Sequence, residues 1–369
     1  MSQPPAWDGH RAFRVIRKVP ESGTVTSFYL APEDGGALAP FRPGQHIGIK
    51  LDVPGQFVPV MRSYTLSDSP AQADHYRLSI KREPAPADAP DAEPGLASNF
   101  MHDHVAEGSV VELLAPGGDF VLRPEGKGPV VLLAGGIGCT PLVSMLAAIA
   151  DAGSGRDVWF IHGVRNGAEQ AFGDFVRGLA ARHPNIHVHL RYSRPGADDV
   201  GGRDYDSTGH VDMELLQSLL PGPSPQFFLC GAVPFMKSLY QGLVGWGVDP
   251  FQINYEFFGP ASELTGEAAS PAAPEPVPGA AADEVHKVTF RRSGVELMWT
   301  PTAGSLLDLA EANGVMADFV CREGRCHTCL NRVAEGNFTY FRDGVFPPMS
   351  DDEILICSAR PTSDLVLDL

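Results

Sequence analysis

Residues 130–150 read VVLLAGGIGCTPLVSMLAAIA, and the parsing of this run decides the fold. The run carries no charged residue and is long enough to suggest a transmembrane helix of about 20 residues. Gly135, Gly136, Gly138 and Pro141 interrupt it. Glycine weakens a helix interior, and proline is tolerated only in the first turn. The run therefore splits into a strand over 130–134, a glycine loop, and a helix that starts at Pro141. A strand feeding a helix through a glycine turn is the unit of a parallel α/β sheet, not of a membrane span.

The same rhythm continues downstream. Apolar strands are expected at 158–164, 187–192, 226–230 and 252–257, with helices at 172–182, 213–220 and 235–245, which predicts a parallel sheet with helices on both faces. Upstream, residues 10–124 change character. Short strands at 13–19, 27–30, 46–51, 62–67, 76–81 and 110–114 are separated by turns, with one helix near 97–106, and predict an antiparallel barrel. Past the α/β region, residues 261–284 are rich in Ala and Pro and hold no aromatic residue. They read as a semi-extended linker reaching at most about 70 Å at roughly 3 Å per residue, able to tether a mobile C-terminal domain. A hairpin (288–290, 296–299), a helix over 305–313 ended by Gly314 and a cysteine loop follow. The expected organisation is an antiparallel β-barrel domain (1–125), an α/β parallel-sheet domain (126–260), the linker (261–284) and an α+β domain of β-grasp type (285–369).

Composition narrows the function. The chain has 369 residues, 43% hydrophobic and 20% charged, which suits soluble globular domains. A net charge of −17 argues against nucleic acid as a partner. No basic-then-apolar start resembles a signal peptide, and the few cysteines cluster like ligands rather than disulfides, so the expected setting is a reducing cytoplasm without a membrane span.

Four of the six cysteines form Cys321-x4-Cys326-x2-Cys329 and then Cys357. Thiolates bind iron–sulfur clusters well, and this spacing reads as a plant-type [2Fe–2S] site. Structural zinc favours two C-x2-C pairs, and this chain has one. Gly324 and Thr328 suit a loop whose backbone N–H groups point at sulfur. His327, between two ligands, reads as an exposed loop residue.

Two further segments carry chemistry. In Arg62-Ser63-Tyr64-Thr65-Leu66-Ser67, Arg62 offers a charge-assisted fork to a phosphate, Tyr64 on the same strand face lies against a planar ring, and Thr65 points the other way with a hydroxyl. The strand ending at Lys81 is basic, and Gly95-Leu96-Ala97-Ser98-Asn99 opens a helix with Ser98 as the expected N-cap, a phosphate site of the helix N-terminal kind. In the run 135–141, Gly135, Gly136 and Gly138 allow close backbone approach to a pyrophosphate, Thr140 adds a hydroxyl donor, and Pro141 suits the first helical position. Residues 228–236, FLCGAVPFM, end a second strand at the same sheet edge. Tyr192-Ser193-Arg194 follows another strand, and Arg194, assisted by Arg165, is a candidate seat for a 2′-phosphate or simply a solvated side chain.

Residues 10–260 resemble the ferredoxin-reductase superfamily, and within it the reductase part of flavohemoglobins. The resemblance rests on MRSYTLSDSP, YRLSIKREP followed by GLASNFMHDHV, LAPGGDF, LLAGGIGCTPLVSML, FLCGAVPFM and YEFFGP. Residues 285–369 resemble plant-type ferredoxins through C-R-E-G-x-C-x-T-C and ILICSAR. The first resemblance implies FAD, rather than FMN, with Arg62 at its diphosphate, Tyr64 on the isoalloxazine and Thr65 near flavin N5. It implies an NAD(P) loop at 135–141, and Cys230 and Gly231 beside the nicotinamide. Glu256 would lie near the reacting rings, with Phe257, Phe258, Gly259 and Pro260 lining the flavin. Three departures stand out: no globin-like segment, so no haem chemistry follows; His46 where the family has an aromatic holding FAD; and extra residues within KREPAPADAPDAEPGLASN.

Together these readings predict an NADH-dependent (rather than NADPH-dependent) flavin and iron–sulfur reductase, with Thr65, Cys230 and Glu256 at the reacting centre. The expected route is nicotinamide, FAD, [2Fe–2S], then an acceptor protein. By resemblance to reductases of this domain order, that acceptor is an oxygenase component such as a Rieske or other non-haem iron monooxygenase, or another one-electron acceptor. The alternative is a stand-alone NADH oxidase or diaphorase reducing oxygen, quinones or ferric chelates, with the cluster incidental.

Overall fold

The computed structural model describes residue 7 and residues 9–369, apart from 57–58, 73, 86–93, 119, 259–276, 279, 282–283, 314, 316, 318–321, 323, 325–328, 343–344, 346–347, 349 and 351. The chain divides into two compact units, Met1–Phe258 and Gly259–Leu369.

The first unit begins with β1 (Arg11–Pro20), β2 (Val25–Pro32), β3 (His46–Leu51), β4 (Val60–Thr65), β5 (Tyr76–Lys81), α1 (Leu96–His104) and β6 (Val110–Leu113). These strands form one sheet in the order β4-β3-β6-β1-β2-β5, antiparallel throughout. Its two ends meet: Leu66 bridges Leu78, and the Ser67 N–H donates to the Arg77 carbonyl at 2.9 Å. The expected antiparallel barrel is thus formed. Phe13, Phe28, Leu30, Ile47, Ile49, Leu78 and Ile80 fill it.

The α/β part follows with β7 (Val130–Gly135), α2 (Cys139–Ala152), β8 (Val158–Val164), α3 (Gly173–Arg182), β9 (Ile186–Tyr192), β10 (Ser207–Thr208), α4 (Met213–Leu219), β11 (Gln226–Cys230), α5 (Val233–Gly245) and β12 (Ile253–Glu256). The sheet order is β10-β9-β8-β7-β11-β12, all parallel. Its packing explains the unbroken run VVLLA. Val130, Leu132 and Ala134 pack with α2 and α3 on one face, while Val131 and Leu133 pack with α4 and α5 on the other. A strand buried on both faces needs no polar alternation. The helix begins at Cys139, two residues before the expected start. Pro141 sits within the first turn, where an N–H has no intrahelical acceptor to lose. Among the described residues no helix is long and apolar enough to cross a membrane.

Barrel and α/β part share a core. Val25, Phe120 and Leu122 belong to the same apolar cluster as α2, and Phe120 meets Phe228 edge-on with ring centroids 5.6 Å apart. The Ser144 hydroxyl on α2 donates to the Asp68 carbonyl at 2.7 Å, and the Arg77 guanidinium lies 4.9 Å from the Phe172 ring. Barrel and α/β part are therefore packed together on a shared core within one compact unit.

The second unit holds β13 (His286–Phe290), β14 (Val295–Trp299), α6 (Leu306–Ala312), β15 (Leu330–Glu335), β16 (Phe338–Tyr340), β17 (Glu353–Leu355), β18 (Ala359–Pro361) and β19 (Leu365–Leu367). A mixed sheet β14-β13-β19-β15-β17 pairs β13 with β19 in parallel, and β16 pairs with β18. Ser305 and Asp308 form a reciprocal capping box that starts α6, whose Leu306, Leu307, Leu309 and Ala310 enter the core beneath Trp299. Val277, inside the stretch expected to be linker, belongs to this core. It is 3% exposed, and its N–H donates to the Pro301 carbonyl at 3.1 Å. Its apolar side chain gains more from burial than the surrounding Ala/Pro composition would indicate. Gly314, the expected helix stop, lies outside the described residues.

Candidate functional site

The flavin-directed part forms where β3 and β4 run antiparallel. Their register pairs His46 with Thr65, Ile47 with Tyr64, Gly48 with Ser63 and Ile49 with Arg62. Strand alternation sends Ser63 and Thr65 to one face and Arg62 and Tyr64 to the other. Arg62 is exposed, its guanidinium donating to the Met61 carbonyl at 2.7 Å. Burial pushes the Tyr64 phenol up to about 12, against the opposing pull of the Arg62 charge, so the ring stays neutral. The hydroxyls of Ser63 and Thr65 are buried without a protein partner, as is Glu256 Oε2. Buried polar atoms are rarely left unpaired, because each costs about 1–3 kcal/mol. These three atoms, on β4 and at the end of β12, are ones that a bound polar ligand would satisfy.

His46 ties this face to the end of β12. Its backbone exchanges hydrogen bonds with Gly117, at 3.0 and 2.9 Å, and its Nδ1 lies 3.8 Å from Glu256 Oε1. Glu256 in turn pairs in register with Cys230 of β11. The chain thus brings Thr65, His46, Glu256 and Cys230 into one row, although 191 positions separate Thr65 from Glu256. Cys230 is fully buried. Burial, then the Glu256 charge and the neighbouring Cys139, push its thiol well above the ordinary value, so it is a small neutral group and not a nucleophile.

Around α1, one expectation is corrected. The helix starts at Leu96 with Gly95 as N-cap, and no side chain caps it. Ser98 is not the N-cap but a first-turn residue, whose hydroxyl donates to the Gly95 carbonyl at 3.0 Å and accepts the Glu83 N–H at 3.2 Å. A serine already inside the turn finds the i−3 carbonyl closer than any free N–H. Asn99 Nδ2 donates to the Glu83 and Gly95 carbonyls, both at 2.8 Å. Ser98 and Asn99 therefore stitch the helix start to the end of β5, where Lys81 lies 3.6 Å from Glu83. Most of the extra loop residues lie outside the described set.

The nucleotide-directed part sits where β7 and β11 are neighbours and the strand order changes direction. Such a switch point opens a crevice at the carboxyl ends of the strands. Gly135 ends β7, Gly136 follows, and Gly138 packs against the first residues after β11. A Cβ on Gly138 would lie 2.3 Å from the Cys230 carbonyl oxygen and 2.6 Å from the Gly231 nitrogen. The glycine is thus required by the crossing of the two loops. Thr140 does not present a free donor. It is 2% exposed, and its hydroxyl donates to the Ile137 carbonyl at 3.1 Å, bracing the loop from within. Arg194 is exposed, and its N–H joins the loops after β8 and β9 by donating to the Arg165 carbonyl at 2.8 Å. Phe257 is half-buried, Phe258 is exposed, and Gly259 and Pro260 lie outside the described residues.

His162 was not foreseen. It is buried on β8, in register with Ala134, and its Nε2 lies 2.9 Å from the Gly136 carbonyl while Nδ1 lies 3.1 Å from Gln170 Nε2. The pairing assigns one tautomer: Nε2–H donates to the glycine loop and Nδ1 accepts from Gln170. The available signal was an ionisable residue inside the apolar strand VWFIHGV. Burial lowers its pKa to about 4 from the ordinary 6.5. Between those values only the unfolded chain is protonated at this ring, so stability falls as pH drops from 6.5 towards 4, by about 3 kcal/mol in full. Calorimetry of wild type and His162→Gln across this range should show a larger loss in wild type, because the lowered pKa values of His102 and His189 act in both proteins. Parallel curves would remove His162 as its source.

In the second unit, Cys329 and Cys357 are buried free thiols in the core; Cys321, Cys326, His327 and Thr328 lie outside the described residues. The Gly324 N–H donates to Cys357 Sγ at 3.3 Å, as the loop reading expected, from a backbone with φ of +72°. Two buried soft donors with an N–H aimed at one of them suit an iron–sulfur cluster.

Comparison with known proteins agrees with this division. Residues 12–122 match an oxidoreductase FAD-binding domain, 132–241 an oxidoreductase NAD-binding domain, and 288–362 a 2Fe-2S iron–sulfur cluster binding domain. The flavohemoprotein of Halalkalibacterium halodurans is 43% identical over 261 residues, covering 71% of this chain, and the chain spans only 62% of that relative's length. The flavohem-like FAD/NAD-binding domain of nitric oxide dioxygenase from Vibrio cholerae is 35% identical, with a TM-score of 0.60, over 68% of this chain and 99% of that one. Phthalate dioxygenase reductase, described as a modular structure for electron transfer from pyridine nucleotides to [2Fe–2S], covers 98% of both chains at 21% identity and a TM-score of 0.56, which speaks to the fold alone. FAD-binding, NAD-binding and 2Fe-2S domains on one chain make it an NAD(P)H oxidoreductase that carries electrons. The chain belongs to the ferredoxin-reductase family of flavohemoprotein-type FAD/NAD(P) modules, here joined to a C-terminal [2Fe–2S] ferredoxin domain.

Proposed function

We propose that this oxidoreductase is the reductase component of an oxygenase system, taking electrons from NADH and delivering them singly to a partner such as a Rieske or other non-haem iron monooxygenase. FAD and a [2Fe–2S] cluster, when bound, supply the conversion between the electron pair of a hydride and single electrons. The observation that carries the reading is the row Thr65, His46, Glu256 and Cys230 at the mouth of the α/β crevice, on a chain that also holds the buried thiols Cys329 and Cys357.

The residues of the crevice bind and orient. Ser63 and Thr65 offer hydroxyls to the flavin edge, Tyr64 its ring and Arg62 its charge to the diphosphate. Gly135, Gly136 and Gly138 form the floor against which the pyrophosphate of NADH lies, Gly231 stands beside the nicotinamide, and His162 holds the Gly136 carbonyl in place. Cys230 keeps the floor small and uncharged, while Glu256 carries a carboxylate at its rim. Hydride transfer depends on this alignment and on exclusion of water more than on acid–base groups. In the ferredoxin domain Cys321, Cys326, Cys329 and Cys357 hold the cluster.

The test is a stopped-flow mixture of the purified protein with NADH under anaerobic conditions. Flavin absorbance should bleach first and the visible bands of the cluster should follow. A bleached flavin beside a cluster that stays oxidised ends the proposal.

A further inference from the structure

Ser358 follows Cys357 and is fully buried. Its hydroxyl oxygen lies 3.4 Å from Cys357 Sγ, the one hydrogen-bond partner recorded for it among the described residues. Its backbone is held independently: the N–H donates to the Leu355 carbonyl at 3.1 Å, and the carbonyl accepts the Phe341 N–H at 3.1 Å. The hydroxyl is therefore not needed to shape the turn. The Gly324 N–H reaches the same sulfur at 3.3 Å, and a Cβ at Gly324 would lie 2.8 Å from the Ser358 oxygen, so the two donors are neighbours. Two donors converge on one buried sulfur.

We propose that Ser358 is a tuning residue that sets the reduction potential of the cluster by donating its O–H to Cys357 Sγ. Between two protonated groups either atom can be the donor. Once Cys357 is a cluster ligand its sulfur carries no proton, and the direction is fixed: Ser358 donates and the thiolate accepts. One-electron reduction adds a negative charge to the cluster, spread in part over its sulfurs. A donor dipole aimed at a sulfur stabilises the reduced form more than the oxidised one, most strongly in a low-dielectric pocket. Removing the hydroxyl makes the potential more negative. The thermodynamic drive for accepting an electron then falls, and the drive for passing one on rises.

This inference rests on Cys357 being a cluster ligand, and the experiment separates the two claims. Iron and acid-labile sulfide are measured first on the wild-type holoprotein; a cluster-free, correctly folded protein sinks the ligand reading and with it the tuning role. The potential is then read by a redox titration monitored by electron paramagnetic resonance. Ser358→Ala should keep the cluster and shift its potential to more negative values by about tenfold in the equilibrium constant for reduction, ~59 mV for a one-electron couple. An unchanged potential with full cluster content overturns the proposal while leaving the ligand reading intact. Where Ser358→Ala loses cluster, the isosteric pair Ser358→Thr and Ser358→Val decides. Thr, which retains a hydroxyl, should stand above Val, and equal potentials overturn the proposal.

Discussion

Cys329→Ser is expected to cut NADH-dependent cytochrome c reduction by at least about a hundredfold while leaving NADH-dependent ferricyanide reduction near wild type. Cys329 is 4% exposed within the core of the second unit, immediately before β15. A serine oxygen in that position is a hard donor where a soft thiolate is required, so the cluster loses a ligand and its stability. Ferricyanide is a small acceptor that takes electrons directly from a reduced flavin, so it reports only the first unit. The two acceptors thus read entry and exit separately within one preparation, and a general folding defect would lower both. If cytochrome c reduction survives, the cluster is not the outlet and the stand-alone diaphorase reading takes over.

Gly138→Ala should lower kcat/KM for NADH by about a hundredfold, read with ferricyanide as acceptor, while the flavin content stays unchanged. The expected cause is geometric. The added methyl would lie 2.3 Å from the Cys230 oxygen and 2.4 Å from its carbonyl carbon, which are backbone atoms that no rotamer change can clear. The loops after β7 and β11 must move apart, and with them the surface proposed to align the nicotinamide. The flavin-directed residues of β3 and β4 lie on the barrel and are untouched. Wild-type kcat/KM in this variant would show that the crossing of these loops does not position NADH.

Much of the fold was legible from local patterns. The glycine-broken run at 130–150 separated a parallel α/β region from a membrane span, and the alternation before and after it located nearly every strand of the sheet. The two-residue β10 carried too little pattern to be seen. The cysteine spacing and RSYTLS marked chemistry because their residue types are needed at fixed short separations. The site was less legible wherever a role depends on a partner far along the chain. Thr140 and Pro141 read as a phosphate donor and a helix start, yet the helix opens at Cys139 and the Thr140 hydroxyl turns back to Ile137. Ser98 read as a cap and proved to be a first-turn residue, because helix ends are set by packing as much as by capping residues.

By itself the sequence determined the element types, the order of the three regions and the kinds of cofactor they accept, since strand alternation, helix breakers and ligand spacing act within a few residues. Tertiary structure alone decided which groups face one another. It placed Gly138 under the Cys230 carbonyl, His46 beside Glu256, and His162 beneath the Gly136 carbonyl. Each of these contacts joins residues on different strands or on the loops that follow them, whose adjacency follows from sheet order and barrel closure. No local pattern records that adjacency, because it exists only once apolar faces far apart in the chain have been buried together.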